Sequence, residues 1–159
     1  MRGQPEIINA LNEVLCAELT AINQYFAHSE MCENWGYSRL YKAIRKESID
    51  EMKHAEKVIA RLLYLGGIPN MARYFEIRVG TNVQEMLEND LALEEEAIER
   101  LNTCIQLAHT HKDFGSSELL ESILSDEEEH IDWIEAQLDQ VQQIGVGGYL
   151  AQQIKLDDE

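Results

Sequence analysis

Two copies of Glu-x-x-His, Glu51–His54 in the string SIDEMKHA and Glu127–His130 in LSDEEEHI, carry the chemistry open to this chain. Residues three apart share one face of a helix, so each carboxylate and imidazole can close on one metal ion from a single turn. One copy is a weak signal. Two copies, accompanied by lone glutamates on two other helical stripes, read as a two-metal site. Glu18 stands in the apolar series Leu11, Leu15, Glu18, Ile22, Tyr25, and Glu94 stands among Leu87, Leu91, Ala97, Ile98 and Leu101. Glu51 falls in the series Ile44, Ser48, Glu51, Ala55, Val58, Leu62, and Glu127 falls among Leu120, Ile123, Leu124, Ile131 and Ile134. Each puts a carboxylate where a leucine is expected, and a buried carboxylate is costly unless it is neutralised or paired. With no lysine or arginine on these stripes at that level, divalent cations are left as the counter-charge: two of them balance four carboxylates and two neutral imidazoles. Oxygen and imidazole ligands without thiolate suit iron or manganese, with zinc as a competitor.

Four long segments with apolar residues at three- and four-residue spacing must position these groups. The first runs from Pro5, suited to a first helical turn, to about Asn34, where Gly36 ends it. The second runs from Ser38 to Gly66-Gly67. The third opens at Thr81 or Asn82, both with capping-box spacing to Gln84 and Glu85, and continues to about His111. The fourth runs from Ser116 to Ile144. Short links make helices one and two, and three and four, antiparallel hairpins. The segment from Ile68 to Gly80 is longer and lacks periodicity. A helix of about 28 residues is roughly 42 Å long, and an extended link of this size reaches about 45 Å, so it can run the length of a bundle and leave helices two and three parallel. The expected fold is therefore all-α, a single domain over residues 1–159 built as a four-helix bundle with one long crossover. After Gly145-Val146-Gly147-Gly148, the string YLAQQI predicts a short fifth helix, with Tyr149, Leu150 and Ile154 packing on other copies of the chain.

The charge is skewed. Thirty acidic against thirteen basic residues give a formal net charge of −17 over 159 residues, which argues against nucleic acid or an anionic membrane and for cations as partners. Cys16, Cys32 and Cys104 form no C-x-x-C, so neither a disulfide framework nor a thiolate site is indicated, and a reducing cytoplasm fits. No apolar signal region opens the chain, and no stretch reaches the roughly eighteen apolar residues of a membrane span. The expectation is a soluble, unexported protein.

Other residues near the motif have two readings each. Tyr25, on the Glu18 stripe, is either core with a satisfied hydroxyl or a catalytic residue that hydrogen-bonds a ligand such as Glu94 or supplies an electron. Asp50 and Asp126 each precede a motif histidine by four, which suits support of an imidazole, a path for entering iron, or plain solvated surface. Met52 points away from Glu51 into a second apolar series, Ile49, Met52, Ile59 and Leu63, which predicts a subunit interface.

The chain resembles the bacterioferritins over essentially its whole length. The resemblance lies in the MRG start, LTAINQYFAHSEMCENWG, ESIDEMKHAEKVIARLLYLGGIPN, DLALEEEAI, SDEEEHIDWIEAQL and IGVGGYLAQQ. The carboxylate set itself is a known arrangement of ferritin-like di-iron proteins. The resemblance implies a ferroxidase centre of Glu18, Glu51, His54, Glu94, Glu127 and His130, bridged by Glu51 and Glu127. It further implies oxidation of Fe(II) by O2 or hydrogen peroxide, and ferric mineral stored in a hollow 24-mer. It also implies a haem b held between two subunits by Met52 of each, and a ferredoxin as reductant for iron release. One departure is Lys46, which stands where some members have a histidine and puts an inner-surface iron site near Asp50 in doubt. The rival readings are another di-iron carboxylate enzyme, such as a rubrerythrin-like peroxidase, and a non-catalytic haem- or metal-binding cage. The absence of a Cys-rich segment counts against the first, and the acidic total counts against a DNA-protecting version of the second.

Overall fold

A computed structural model describes residues 3–154; Met1 and Arg2 of the MRG start, and residues 155–159, lie outside the described part. Four helices follow in order: α1 Pro5–Asn34, α2 Ser38–Tyr64, α3 Val83–Thr110 and α4 Phe114–Ala151. Pro5 occupies the first turn of α1, where a missing N–H costs nothing. Asn82 caps α3 by accepting the Glu85 N–H at 2.9 Å, and Glu85 in turn accepts the Thr81 N–H at 3.2 Å.

The fourth helix begins two residues earlier than the sequence suggests. Asp113 caps it through the Ser116 N–H at 3.1 Å while its carboxylate holds the Arg61 guanidinium at 2.7 Å. Gly115 lies in the first turn with that guanidinium against it: a Cβ there would meet Arg61 Nη2 at 2.6 Å. At the other end, Gly145 adopts φ 79, ψ 155, which breaks α4 and lets the last turns set off in a new direction. Helical backbone continues past this break to Ala151 as part of α4. Its packing corrects one expectation: Tyr149 is fully buried against the chain's own bundle, with its hydroxyl donating to Gln137 at 2.7 Å, and only Ile154 is left exposed.

The crossover, residues 65–82, runs along α1 and shows its direction through hydrogen bonds. The Asn70 N–H goes to Asn12, the Phe75 N–H to Thr20, the Arg78 N–H to Gln24 and the Gly80 N–H to His28. The link therefore travels with α1 from its start toward its end. Since α2 returns antiparallel to α1, with Leu65 meeting Gly3, the crossover delivers α3 parallel to α2. Extended backbone cannot satisfy itself, so Asn12 and then Thr20, Gln24 and His28, the last three at four-residue spacing along α1, do it.

The apolar core is split. One half gathers Leu11, Leu15, Val58, Leu62, Leu101 and Ile123; the other gathers Tyr25, Ile44, Met86, Leu87, Ile134 and Val141. In every helix the glutamate expected as a ligand falls between a member of one half and a member of the other. A polar layer crosses the middle of the bundle, held in register by hydrophobic packing on both sides.

Candidate metal centre

Glu18 from α1, Glu51 and His54 from α2, Glu94 from α3, and Glu127 and His130 from α4 meet in this layer, all of them buried. Their ligand atoms form two groups, Glu18–Glu51–His54–Glu127 and Glu51–Glu94–Glu127–His130, each with its atoms within 4.8 Å of one another. Glu51 and Glu127 are common to both. The six residues predicted from sequence are therefore the six that the fold brings together.

The two imidazoles are oriented alike. His54 turns Nδ1 toward Glu18, Glu51 and Glu127 at 3.6, 3.7 and 3.8 Å. His130 turns Nδ1 toward Glu51 and Glu127 at 3.1 Å each and toward Glu94 at 3.8 Å. None of these contacts closes a hydrogen bond: both Nδ1 atoms, both Glu51 oxygens and one oxygen each of Glu18, Glu94 and Glu127 are buried without a partner. Such convergence of orphaned acceptors is unfavourable for a protein-only core and is what a metal cluster requires.

The outer nitrogens are held across helices. His54 Nε2 lies 2.8 Å from Asp126 on α4, and His130 Nε2 lies 3.4 Å from Asp50 on α2. Each motif's aspartate thus supports the histidine of the other motif. A carboxylate on the outer nitrogen fixes ring orientation and tautomer, leaving Nδ1 as the free ligand. Tyr25 is fully buried and donates its hydroxyl to Glu94 Oε1, with its ring edge-on to His130. Burial and the charge of Glu94 raise its pKa well above the usual value, so it keeps the proton it donates.

Burial, then the neighbouring carboxylates, pushes Glu51, Glu94 and Glu127 up to about 8. Glu18 is raised for the same reasons, with Glu127 as the opposing charge. Burial works against a charged His54, but Glu18 and Glu51 outweigh it and push the ring up to about 12; His130 is raised likewise by Glu127, Glu51 and Glu94. Without a cation, the layer holds protons instead.

The sequence reading missed Glu47. It lies one turn before Glu51, is buried, has an unpartnered oxygen and is raised well above the usual range by burial and by Glu94, Asp90 and Glu51, against the pull of His130. Its spacing from Ile44 and Glu51 was a usable signal. With Lys46, Asp50, Asp126, Glu129 and His130 it lines an open cleft of about 370 Å³ between α2 and α4. Lys46 pairs with Asp50 at 3.1 Å. Met52 lies outside all of this, on the outer face of α2, 54% exposed beside exposed Ile49 and Leu63.

Known proteins bear on the whole chain. The family model described as a ferritin-like domain matches residues 8–144. The chain is 47% identical over 152 residues to a bacterioferritin of Mycolicibacterium paratuberculosis, with 96% of each protein covered. It is 49% identical to one of Mycobacterium leprae at the same coverage. A bacterioferritin of Streptomyces coelicolor is 48% identical over 151 residues, 95% of this chain and 90% of that protein.

Proposed function

The chain belongs to the ferritin-like domain family, in its bacterioferritin group, and from that premise we propose that it stores and detoxifies iron by oxidising Fe(II) at the mid-bundle cluster. The observation that carries this reading is the pair of interlocked ligand groups sharing Glu51 and Glu127. Iron is the substrate. One ion falls to Glu18 and His54, the other to Glu94 and His130, with Glu51 and Glu127 between them. Two Fe(II) ions side by side yield two electrons together, so O2 with two protons becomes hydrogen peroxide and two Fe(III) remain; hydrogen peroxide as oxidant with two protons becomes two waters. A paired transfer avoids one-electron reduction of oxygen, and the hard carboxylate oxygens favour the ferric product. Binding of the first ions expels the protons that the metal-free cluster holds.

The other residues have supporting roles. Asp126 and Asp50 orient the imidazoles, and Tyr25 holds Glu94. The cleft lined by Glu47, Asp50, Asp126 and Glu129 carries one lysine against four carboxylates and draws the cation in. Near-full-length matching to bacterioferritins favours this reading over a rubrerythrin-like peroxidase.

Exposed Phe26, Ile49, Met52, Leu63 and Tyr64 leave a larger apolar surface than a lone subunit needs, which supports a homo-oligomeric cage, in the family's form a 24-mer. An exposed thioether within an apolar strip also suits haem b held between two subunits by Met52 of each. The haem would supply one-electron redox chemistry, with a ferredoxin as its reductant. Three free, buried cysteines are in keeping with a reducing cytoplasm. Stopped-flow Fe(II) oxidation tests the centre: Glu18→Ala and His130→Ala should abolish the rapid phase in an assembled protein, and wild-type rates in either would refute the six-residue assignment.

A further inference from the structure

On the side of the bundle opposite the acidic cleft, a small cavity lies between α1 and α3 beneath the crossover. Its volume is about 20 Å³, and Ala17, Ala21, Leu93, Ala97 and Phe75 supply most of its apolar wall. Glu127 lines it too. The centre is therefore reached from two sides, at His130 from the cleft and at Glu127 from this cavity. We infer that the alanine-lined cavity admits the small uncharged oxidant to the centre, separately from the cation.

The two openings differ in what they can pass. The cleft is wide, and its acidic lining attracts a divalent ion. The cavity has room for about one water-sized molecule, and a hydrated Fe(II) would have to shed its water against alanine and leucine. The Thr20 and Glu96 side chains on its wall are already engaged. The Thr20 hydroxyl donates to the Cys16 carbonyl at 2.7 Å and accepts the Phe75 N–H at 2.9 Å. Glu96 pairs with Arg78 at 2.9 Å. The Phe75 ring on its wall lies against two guanidiniums, Arg100 at 4.3 Å and Arg73 at 5.3 Å from its centroid. The remaining wall carboxylate nearer the surface, Glu76, faces Arg78 at 3.9 Å, so guanidiniums offset the acid on this side, the wall draws a cation less than the cleft does, and the small apolar space favours small neutral molecules. Dioxygen and hydrogen peroxide share that chemistry.

The inference rests on the ferroxidase reading, and its test uses the assembled protein. Ala17→Leu fills the cavity without touching the cleft. It should lower the second-order rate constant for oxidant about tenfold, as an added barrier of about 1.4 kcal/mol would, in parallel arms with O2 and with hydrogen peroxide. Anaerobic Co(II) titration should still show two ions per subunit, and xenon-pressurised crystals should show a xenon atom in the wild-type cavity and none in the variant. An unchanged oxidant rate constant with the cavity filled overturns the route while leaving the ferroxidase reading intact; no wild-type oxidation at all would overturn that reading first. If Ala17→Leu disturbs Co(II) binding, Phe75→Ala decides: enlarging the cavity at this wall should raise the oxidant rate constant about threefold, and no change overturns the route.

Discussion

Replacing Glu51 with glutamine should stabilise the metal-free protein while destroying its activity. Glu51 is fully buried, both its oxygens are unpartnered, and burial with the charges of Glu18 and Glu94 pushes it up to about 8 from an ordinary 4.5. At pH 7 the unfolded carboxyl has lost its proton and the folded one holds it. Folding must therefore take up a proton, at a cost of about 3 kcal/mol for about 2.5 pH units. The sign follows from the raised value: the native state is favoured below about 4.5, and this advantage is lost as pH climbs through about 8. Two effects reduce what the variant gains. The amide is still a buried polar group, and His54 and His130, both raised in part by Glu51, lose a partner. A net gain of about 1 to 2 kcal/mol at pH 8, shrinking toward pH 5, is expected. Guanidinium unfolding of chelator-treated Glu51→Gln and wild type, at equal protein concentration and at both pH values, measures it. A variant less stable than wild type at pH 8, or a margin that ignores pH, would refute the idea that crowded, desolvated carboxylates dominate this layer.

Asp126→Asn should weaken anaerobic Co(II) binding about 10- to 100-fold by freeing His54, and Asp50→Asn should do so through His130; Co(II) spectra that leave either affinity unchanged would remove that support role. Tyr25→Phe takes away the donor to Glu94 and should cost about 1 kcal/mol in chemical unfolding, with slower Fe(II) oxidation in stopped flow. Met52→Leu should remove the haem absorption bands and leave the initial oxidation rate nearly unchanged, and full haem content would make Met52 interface packing alone. Tyr149→Ala should lower the stability of the subunit itself by about 3 kcal/mol or more, as for a large buried ring, because Tyr149 packs on its own bundle; an effect confined to assembly in sedimentation would contradict that placement.

The ligands were legible because glutamate on an apolar stripe has no cheap structural explanation, and the repeat of Glu-x-x-His on two stripes removed the remaining ambiguity. Helix stops at Gly36 and Gly66, both at φ 83, were legible for a similar reason: few residues other than glycine adopt that conformation. What failed were features set by distant partners. Nothing local marks Asp113 as the cap that also binds Arg61, so the start of α4 read two residues late. Nor does local sequence tell whether Tyr149 finds its own bundle or a neighbour's, since both choices bury the same ring. Glu47, and the chain of Gln24, His28 and Asp90 that fastens the crossover, are polar residues satisfied or orphaned only by what the tertiary fold brings to them.

The reciprocal aspartates give the centre a property that ligand spacing alone does not. Of the helix pairs in contact, α2 and α4 touch least, and the acidic cleft opens between them. Across that gap His54 reaches Asp126 and His130 reaches Asp50, so the two ties that orient the imidazoles also span the gap at the cleft. Widening the cleft to pass an ion must lengthen at least one tie, and it loosens a ligand as it does so. The looser of the two is the His130 contact at 3.4 Å, against 2.8 Å for His54, and Asp50 shares its carboxylate with Lys46. His130, on the cleft wall, therefore has the outer tie that gives way at least cost, while His54 keeps the shorter tie to Asp126. The same crossing that pre-orients the centre thus makes its two halves unequal: on the proposed reading, iron drawn into the cleft would meet His130, which lines it, before His54, whose outer tie is the shorter one.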